Sequence, residues 1–168
     1  MTKLSMHAIS APVFTRMLNN LSSILSKAEQ QAKVKGYDPS VLLNDRLAPD
    51  MFTLTRQIQI ATDHAKGCMA RLAGKTPEAL EDTETTFAHL QARITKVLGI
   101  VESFKPEQLE GSENREITIK IPTGELKFSG LDYVNGWAMP NFYFHATTAY
   151  AILRHNGIEL GKKDFLVS

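Results

Sequence analysis

The sequence predicts an all-α fold, a four-helix bundle with a β-hairpin inserted between the third and fourth helices. Four long segments repeat apolar residues at spacings of three and four, which is the period of an amphipathic helix. Residues 117–128 instead alternate with period two on both sides of a glycine-containing turn. The 168 residues, 43% of them hydrophobic and 22% charged, are enough for one helical domain that spans residues 1–168.

The first two helices have recognisable start and stop residues. The first helix is predicted over residues 8–34, with Ser10 and Pro12 as start signals before a long apolar stripe. The second helix is predicted over residues 49–73 and stops at Gly74, since glycine readily takes the left-handed conformation that ends a helix. Together these segments supply two faces of the bundle.

A proline-containing start signal precedes the third helix. Thr76–Glu78 combines a capping residue, a proline and an acid, and Asp82–Glu84 offers a second start or an extension, before a helix that ends near Phe104. Asp63 lies opposite the apolar face of the second helix, and we expect it to be solvated. Beyond the third helix, Pro122–Gly124 forms the turn of the predicted hairpin.

The fourth helix is predicted from Pro140, in the first turn where proline is tolerated, to a stop at Gly157. One face of this helix carries a stripe at helical spacing. The stripe consists of Ala138, Phe142, His145, Ala149 and Ile152. In the tail that follows, Phe165 and Leu166 are expected to dock on the bundle.

A polar cluster on the fourth helix is the candidate ligand pocket. His145 lies within the apolar stripe, with Asn141 one turn before it, Thr148 nearly one turn after it, and Phe142 beside it. A polar group in a core needs a hydrogen-bond partner. The cluster therefore fits either a pocket for a small ligand or a structural histidine that bonds to Asn141 or to a group on a facing helix. Phe142 and its aromatic neighbours fit either a pocket lining or the core.

A metal site is the second interpretation of the same residues. Helical bundles build metal sites from inward side chains on facing helices. His64 on the second helix, together with Asn141 and His145 on the fourth, would occupy three corners of a tetrahedron and leave one open, as for Zn or Ni. Two simpler roles remain open, a flank position for His64 and a capping role for Asn141 at the start of its helix.

Composition excludes several classes of partner and site. The net charge of +1 has no basic block, so we expect no nucleic-acid partner. Cys68 is the only cysteine, which excludes an intrachain disulfide and a thiolate metal cluster, and fits the cytoplasm. No apolar run approaches the roughly 18 residues of a membrane span, and no signal peptide is evident, so no membrane partner is expected.

Three stretches carry a resemblance to a known family. These are RLAPDM at 46–51, AKG with ARLAG within 65–74, and PNFYFH at 140–145. Over nearly the whole chain they resemble an uncharacterised bacterial branch, known only as a domain of unknown function, of the DinB/YfiT-like superfamily. The helix order and the placement of one ligand on the second helix and two on the last long helix are similar to that superfamily.

The resemblance implies a fold, a ligand set and an activity. The fold is a DinB/YfiT-like four-helix bundle. The superfamily site has one histidine on the second helix, matched by His64, and a His-x-x-x-His pair on the last, of which His145 is the later member and Asn141 stands in place of the earlier. Members with three histidines include metal-dependent transferases and isomerases that use low-molecular-weight thiols. A carboxamide oxygen is a hard donor that suits Zn or Ni poorly.

Three hypotheses for function follow. The first is a DinB-like binding protein with a polar pocket, a degenerate metal site, for an unknown small molecule. The second is a divalent-metal enzyme that transfers or isomerises a thiol adduct. The third is a structural module without catalysis, whose hairpin or exposed helix face mediates homodimer formation.

Overall fold

A computed structural model describes residues 4–167 of the chain. Within that range the elements are α1 (Met6–Val34), α2 (Ser40–Leu43), α3 (Leu54–Leu72), α4 (Phe87–Ser103), β1 (Ile117–Ile121), β2 (Gly124–Phe128), α5 (Gly130–Tyr133), α6 (Met139–His155) and α7 (Lys162–Leu166). The long helices α1, α3, α4 and α6 form the predicted four-helix bundle, and the hairpin lies between α4 and α6. Helix α3 packs most extensively against α6 and α4, and α1 packs mainly against α4.

The first helix begins earlier than its sequence suggests. Ser5 is the capping residue, because its Oγ accepts a hydrogen bond from the Ala8 N–H. Ser10 and Pro12 lie inside the helix, so their assignment as start signals was wrong. The Ser10 hydroxyl instead donates to the Met6 carbonyl 2.6 Å away. Burial of Met6 on the core side explains why the helix extends through this region.

The second predicted helix, α3, begins at Leu54 rather than at Pro49. Thr53 caps it by accepting from the Arg56 N–H, and this cap outweighs the proline signal four residues earlier. Its end agrees with the prediction. Gly74 has a φ of +70°, and its N–H donates to the Arg71 carbonyl.

The third predicted helix, α4, begins at Phe87, where Thr86 Oγ1 accepts from the His89 N–H at 3.1 Å. The predicted start at Thr76–Glu78 was therefore wrong, and so was the restart at Asp82–Glu84, because both stretches are non-helical. A buried arginine explains why this connection does not become helical.

Arg93 of α4 draws the α3–α4 connection onto the bundle. Its guanidinium donates to the Glu81 carbonyl at 3.1 Å and to Glu84 Oε1 at 3.0 Å, both in the connection. It also donates to Asp63 Oδ1 at 2.9 Å and to Thr62 Oγ1 at 2.8 Å, both on α3. The expectation that Asp63 is merely solvated was wrong, because a buried cation requires anionic partners.

The predicted hairpin is present. Strands β1 and β2 are antiparallel, with Ile117 opposite Phe128 and Ile121 opposite Gly124. The ring of Phe128 lies 6.2 Å from that of Tyr133 and 5.9 Å from that of Trp137, measured between centroids. The apolar face of the hairpin therefore packs onto the bundle.

A continuous helical stretch connects the hairpin to the last long helix. It runs from α5 through a π-helical turn, Val134–Ala138, directly into α6. Helix α6 ends before Gly157, whose φ is +74°, as predicted. In the tail, Phe165 docks edge-on against Tyr150, whereas Leu166 is exposed, so the docking prediction was wrong for Leu166.

Candidate functional site

His145 lies on the buried face of α6, where that helix packs against α3. Only 8% of its surface is accessible, as expected for a residue in an apolar stripe. A buried imidazole has two ring nitrogens, and each needs a partner or an accessible opening. The partner of one nitrogen comes from α3.

Gln57 is that partner, and its contacts determine the tautomer of His145. The Gln57 side-chain Nε2 donates to the Phe52 carbonyl at 3.1 Å, so its Oε1 is the acceptor. Since Oε1 lies 2.6 Å from His145 Nδ1, the histidine carries its proton on Nδ1 and donates it to Gln57. The lone pair on Nε2 is then left as the acceptor of the ring.

His64 on α3 lies beside His145. Their ring centroids are 6.1 Å apart and the ring planes differ by 15°. Burial lowers the pKa of His64 from its ordinary value of 6.5 to about 4; His145 and Arg71 act in the same direction and Asp63 opposes them. Burial, and then the charge of Arg56, also lowers the pKa of His145. Both imidazoles are therefore neutral at pH 7.

The other polar residues of the candidate pocket bond within their own helical stretch. Asn141 Nδ2 donates to the Trp137 carbonyl at 2.7 Å, and Thr148 Oγ1 donates to the Phe144 carbonyl at 2.7 Å. Neither hydrogen bond joins these residues to His145. The structure thus brings His64 and His145 together. Of the two expected partners of His145, Asn141 or a group on a facing helix, it shows the second, Gln57 on α3.

The aromatic residues of α6 divide between core and surface. Phe142 is fully buried, with its ring edge-on to Phe14 at 5.0 Å. Tyr143 and Phe144 are exposed, and the ring of Phe144 meets that of His145 edge-on at 5.2 Å. Phe142 therefore supports the helix from the core side, whereas Phe144 lies between His145 and the surface.

The donor set does not match a three-ligand metal centre. Within residues 4–167, no group of three or more His, Cys, Asp or Glu side chains is placed to hold a metal ion. The candidates His64 and His145 supply two imidazoles, and Asn141 supplies a carboxamide whose nitrogen is bonded to Trp137. Two imidazole nitrogens and one hard carboxamide oxygen suit Zn or Ni less well than three imidazoles. The nearby Cys68 adds nothing, since burial raises the pKa of its thiol to about 12.

Sequence reasoning missed Gln57 as a functional candidate. A weak signal was present, because Gln57 and His64 are seven residues apart on α3 and so share one side of that helix. A glutamine with 1% of its surface accessible needs polar partners, which is the feature that identifies it in the structure.

The fold is a DinB-like helical bundle. The chain is 44% identical to a DinB family member protein from Shewanella denitrificans, whose crystal structure it matches with a TM-score of 0.89. The match covers 96% of this chain and 92% of that one.

The chain belongs to the DUF1993 family, described as a domain of unknown function, whose model matches residues 6–166. The resemblance to an uncharacterised DinB-like branch is thereby confirmed. No curated protein matches the chain. Among the helices of residues 4–167, none combines the length and apolar character that crossing a bilayer requires.

Proposed function

We propose that the chain binds a small polar molecule at the His64–His145 pair, which is a degenerate metal site. The observation that carries this proposal is the pair of hydrogen bonds made by Gln57, to Phe52 and to His145. These bonds leave His145 Nε2 as an acceptor beside a second neutral ring, that of His64. A ligand that donates a hydrogen bond would satisfy this nitrogen.

The charges near the pair restrict the ligand. Arg56 acts electrostatically on His145, and Arg71 acts on His64, both disfavouring a positive charge. A cationic ligand would meet the same repulsion. The ligand that fits is therefore neutral or anionic and carries an O–H, S–H or N–H group.

The experiment follows the ring nitrogens of the histidines by NMR while a set of polar fragments is added. Fragments that occupy the site should shift the signals of His64 and His145 and leave those of His89 unchanged, because His89 is exposed on α4. His145→Gln should abolish the response of His64. If no fragment shifts either histidine of the pair, the proposal is wrong.

A divalent-metal enzyme acting on a thiol adduct is the second candidate. One observation favours it: His145 donates its Nδ1 proton to a side-chain carbonyl and leaves the lone pair of Nε2 available to coordinate a metal, which is typical of a ligating histidine. Zn²⁺ and Ni²⁺ titrations by calorimetry distinguish the two candidates. Stoichiometric metal that survives gel filtration, and is lost in His64→Ala but not in His89→Ala, would favour the enzyme. Weak binding that gel filtration removes would favour the degenerate site.

A further inference from the structure

Arg71 lies on the side of α3 that carries His64. The two residues are seven positions apart, close to two helical turns, so their side chains leave the helix in nearly the same direction. Both are partly accessible, whereas Gly67, which lies between them, is buried. Arg71 and the more accessible member of the histidine pair therefore share one face of α3.

Gly67 shows where the Arg71 guanidinium lies. A Cβ added at Gly67 would stand 2.6 Å from Arg71 Nη1, and the next atoms that it would meet are Cζ and Nη2 of the same guanidinium. The Arg71 side chain thus runs back along α3 by one turn, toward His64, and its charge acts on that imidazole. Glycine is unfavourable inside a helix, but at position 67 it leaves room for the guanidinium.

Arg71 is a cation without an anionic partner. Within residues 4–167, its guanidinium makes a single hydrogen bond, from Nη1 to Tyr133 Oη at 3.0 Å, and no ion pair with a carboxylate. A guanidinium has five N–H groups, so most of its donors are left for a ligand. By contrast, Arg93 on the neighbouring α4 pairs with three carboxylates. Arg71 therefore combines a defined position with unused binding capacity.

The groups beside the pair, among the residues that the structure describes, do not supply the missing negative charge. Asp63, the carboxylate whose charge acts on His64, already pairs with Lys66 at 3.0 Å and with Arg93 at 2.9 Å. Both imidazoles are neutral at pH 7, because burial lowers their pKa values. The charge of Arg71 is thus unbalanced, and it stabilises an anion that binds beside it.

We propose that the ligand of the histidine pair is a small carboxylate monoanion and that Arg71 binds its carboxylate; this deepens the proposed function and rests on it. The planar fork of a guanidinium matches the two oxygens of a carboxylate. One negative charge balances the one unpaired positive charge, whereas the second charge of a phosphate dianion has no such partner, since Arg56 pairs with Asp82. A hydroxy acid, of which glycolate is the smallest, also carries the O–H group that His145 Nε2 accepts.

The test compares glycolate with glycolamide, which has nearly the same size and the same hydroxyl group but no charge. Each is titrated at constant ionic strength into protein with ¹⁵N-labelled histidines. Glycolate should shift the ring nitrogens of His64 saturably, and glycolamide should bind about tenfold more weakly because it loses the charge-assisted hydrogen bonds to Arg71. Equal affinities would overturn the requirement for an anion. Inorganic phosphate that binds more tightly than glycolate would overturn the assignment to a carboxylate.

Gly67→Ala tests the position of the guanidinium without removing its charge. The added methyl group takes the place of Arg71 Nη1, which is the end of a flexible side chain and moves aside. The affinity for glycolate should fall about tenfold, while the melting temperature stays the same or rises because alanine favours a helix. Gly99→Ala is the matched control, since it adds a methyl group to α4 in open space and should leave the affinity unchanged. Unchanged affinity in Gly67→Ala would overturn the proposal.

Arg71→Gln and Arg115→Gln separate a specific contact from the general effect of positive charge. Arg115 is exposed and lies over Gly74, just beyond the end of α3. Arg71→Gln should weaken glycolate about tenfold and Arg115→Gln should not, and equal losses would overturn the role of Arg71. If glycolate fails to shift the pair while neutral fragments shift it, this inference is wrong and the proposed function stands. If no fragment shifts the pair, both fail.

Discussion

Arg93 Nη2 of α4 and Asp63 Oδ1 of α3 lie 2.9 Å apart, and this ion pair joins the two helices at the point where their connection folds back. The Arg93 side chain is only 2% accessible and also pairs with Asp82 at 3.1 Å and Glu84 at 3.0 Å. A single buried cation thus holds two carboxylates from the connection and one from α3.

Arg93→Met should lower the free energy of unfolding by about 3 kcal/mol, because it removes the buried hydrogen bonds of the guanidinium to Thr62, Glu81 and Glu84. Asp63 and Asp82 keep their second cations, Lys66 and Arg56. Urea denaturation measures the change. Lys127→Met is the matched control, since Lys127 pairs with Glu116 while both are exposed, and it should change stability by less than about 1 kcal/mol. Equal effects of the two variants would show that the Arg93 cluster does not organise the connection.

Gln57→Leu should remove the preference of His145 for the Nδ1–H tautomer and destabilise the fold by about 1–3 kcal/mol, because the Nδ1 proton and the Phe52 carbonyl both lose their partner. Gln57→Glu keeps an acceptor at Oε1, so it should keep the tautomer and raise the pKa of His145 through the added negative charge. The ¹⁵N shifts of the imidazole report the tautomer directly. An Nε2–H tautomer in the wild-type protein would contradict the assignment.

Acid should destabilise the protein through His64. Its pKa is lowered to about 4 in the folded chain and is near 6.5 when the residue is solvated, so the unfolded chain takes up the proton first. Stability therefore falls as the pH drops from about 6.5 to about 4, by about 3 kcal/mol in total.

The measurement is urea denaturation between pH 7 and pH 5. This window lies above the range in which Asp45 and Glu84, whose pKa values are lowered, lose their contribution. His64→Gln should reduce the pH dependence there and leave the part that His145, whose pKa is also lowered by burial, contributes. If the stability of the wild-type protein and that of His64→Gln depend on pH in parallel, the burial of His64 does not contribute to the loss of stability in acid.

Gly130→Ala should be severely destabilising. A Cβ at this position would lie 1.8 Å from the carbonyl oxygen of Ser112, which is a backbone atom and cannot move aside as the end of a side chain could. Gly99→Ala is the matched control: it lies within α4 with open space around it, so the substitution should stabilise the helix by about 0.5–1 kcal/mol. Thermal melting of both variants tests whether Gly130→Ala lowers the melting temperature and Gly99→Ala raises it. A tolerated alanine at 130 would mean that α5 and the loop at Ser112 can separate.

The body of each long helix could be predicted from sequence, but the ends could not always be. Apolar periodicity reports which residues face a core, and it placed α1, α3, α4 and α6 correctly. Start signals compete, however. Helix α3 begins after Thr53 rather than at Pro49, and α4 begins after Thr86 rather than at Thr76–Glu78. The second case depended on Arg93, whose partners are up to 31 residues away in sequence and become visible only when α3 and α4 pack.

The candidate site was predictable to a similar degree. The position of His145 in the stripe of α6 predicted its burial, and its burial predicted a hydrogen-bond partner. Which residue that partner would be depends on the rotation of α3 about its own axis, and this rotation selects Gln57 for the contact with Nδ1 and places His64 alongside. Local sequence around each helix carries no record of that angle.

The π-helical turn Val134–Ala138 has a consequence for how this protein can change. Such a turn is an α-helix that has accepted one additional residue. Removing one residue between 134 and 138 would restore regular α-helix, and because the wider turn absorbs that residue, Tyr133 and His145 would keep nearly the same directions. The hairpin and the histidine thus share one continuous helical stretch, in which a single wide turn accommodates the additional residue between them.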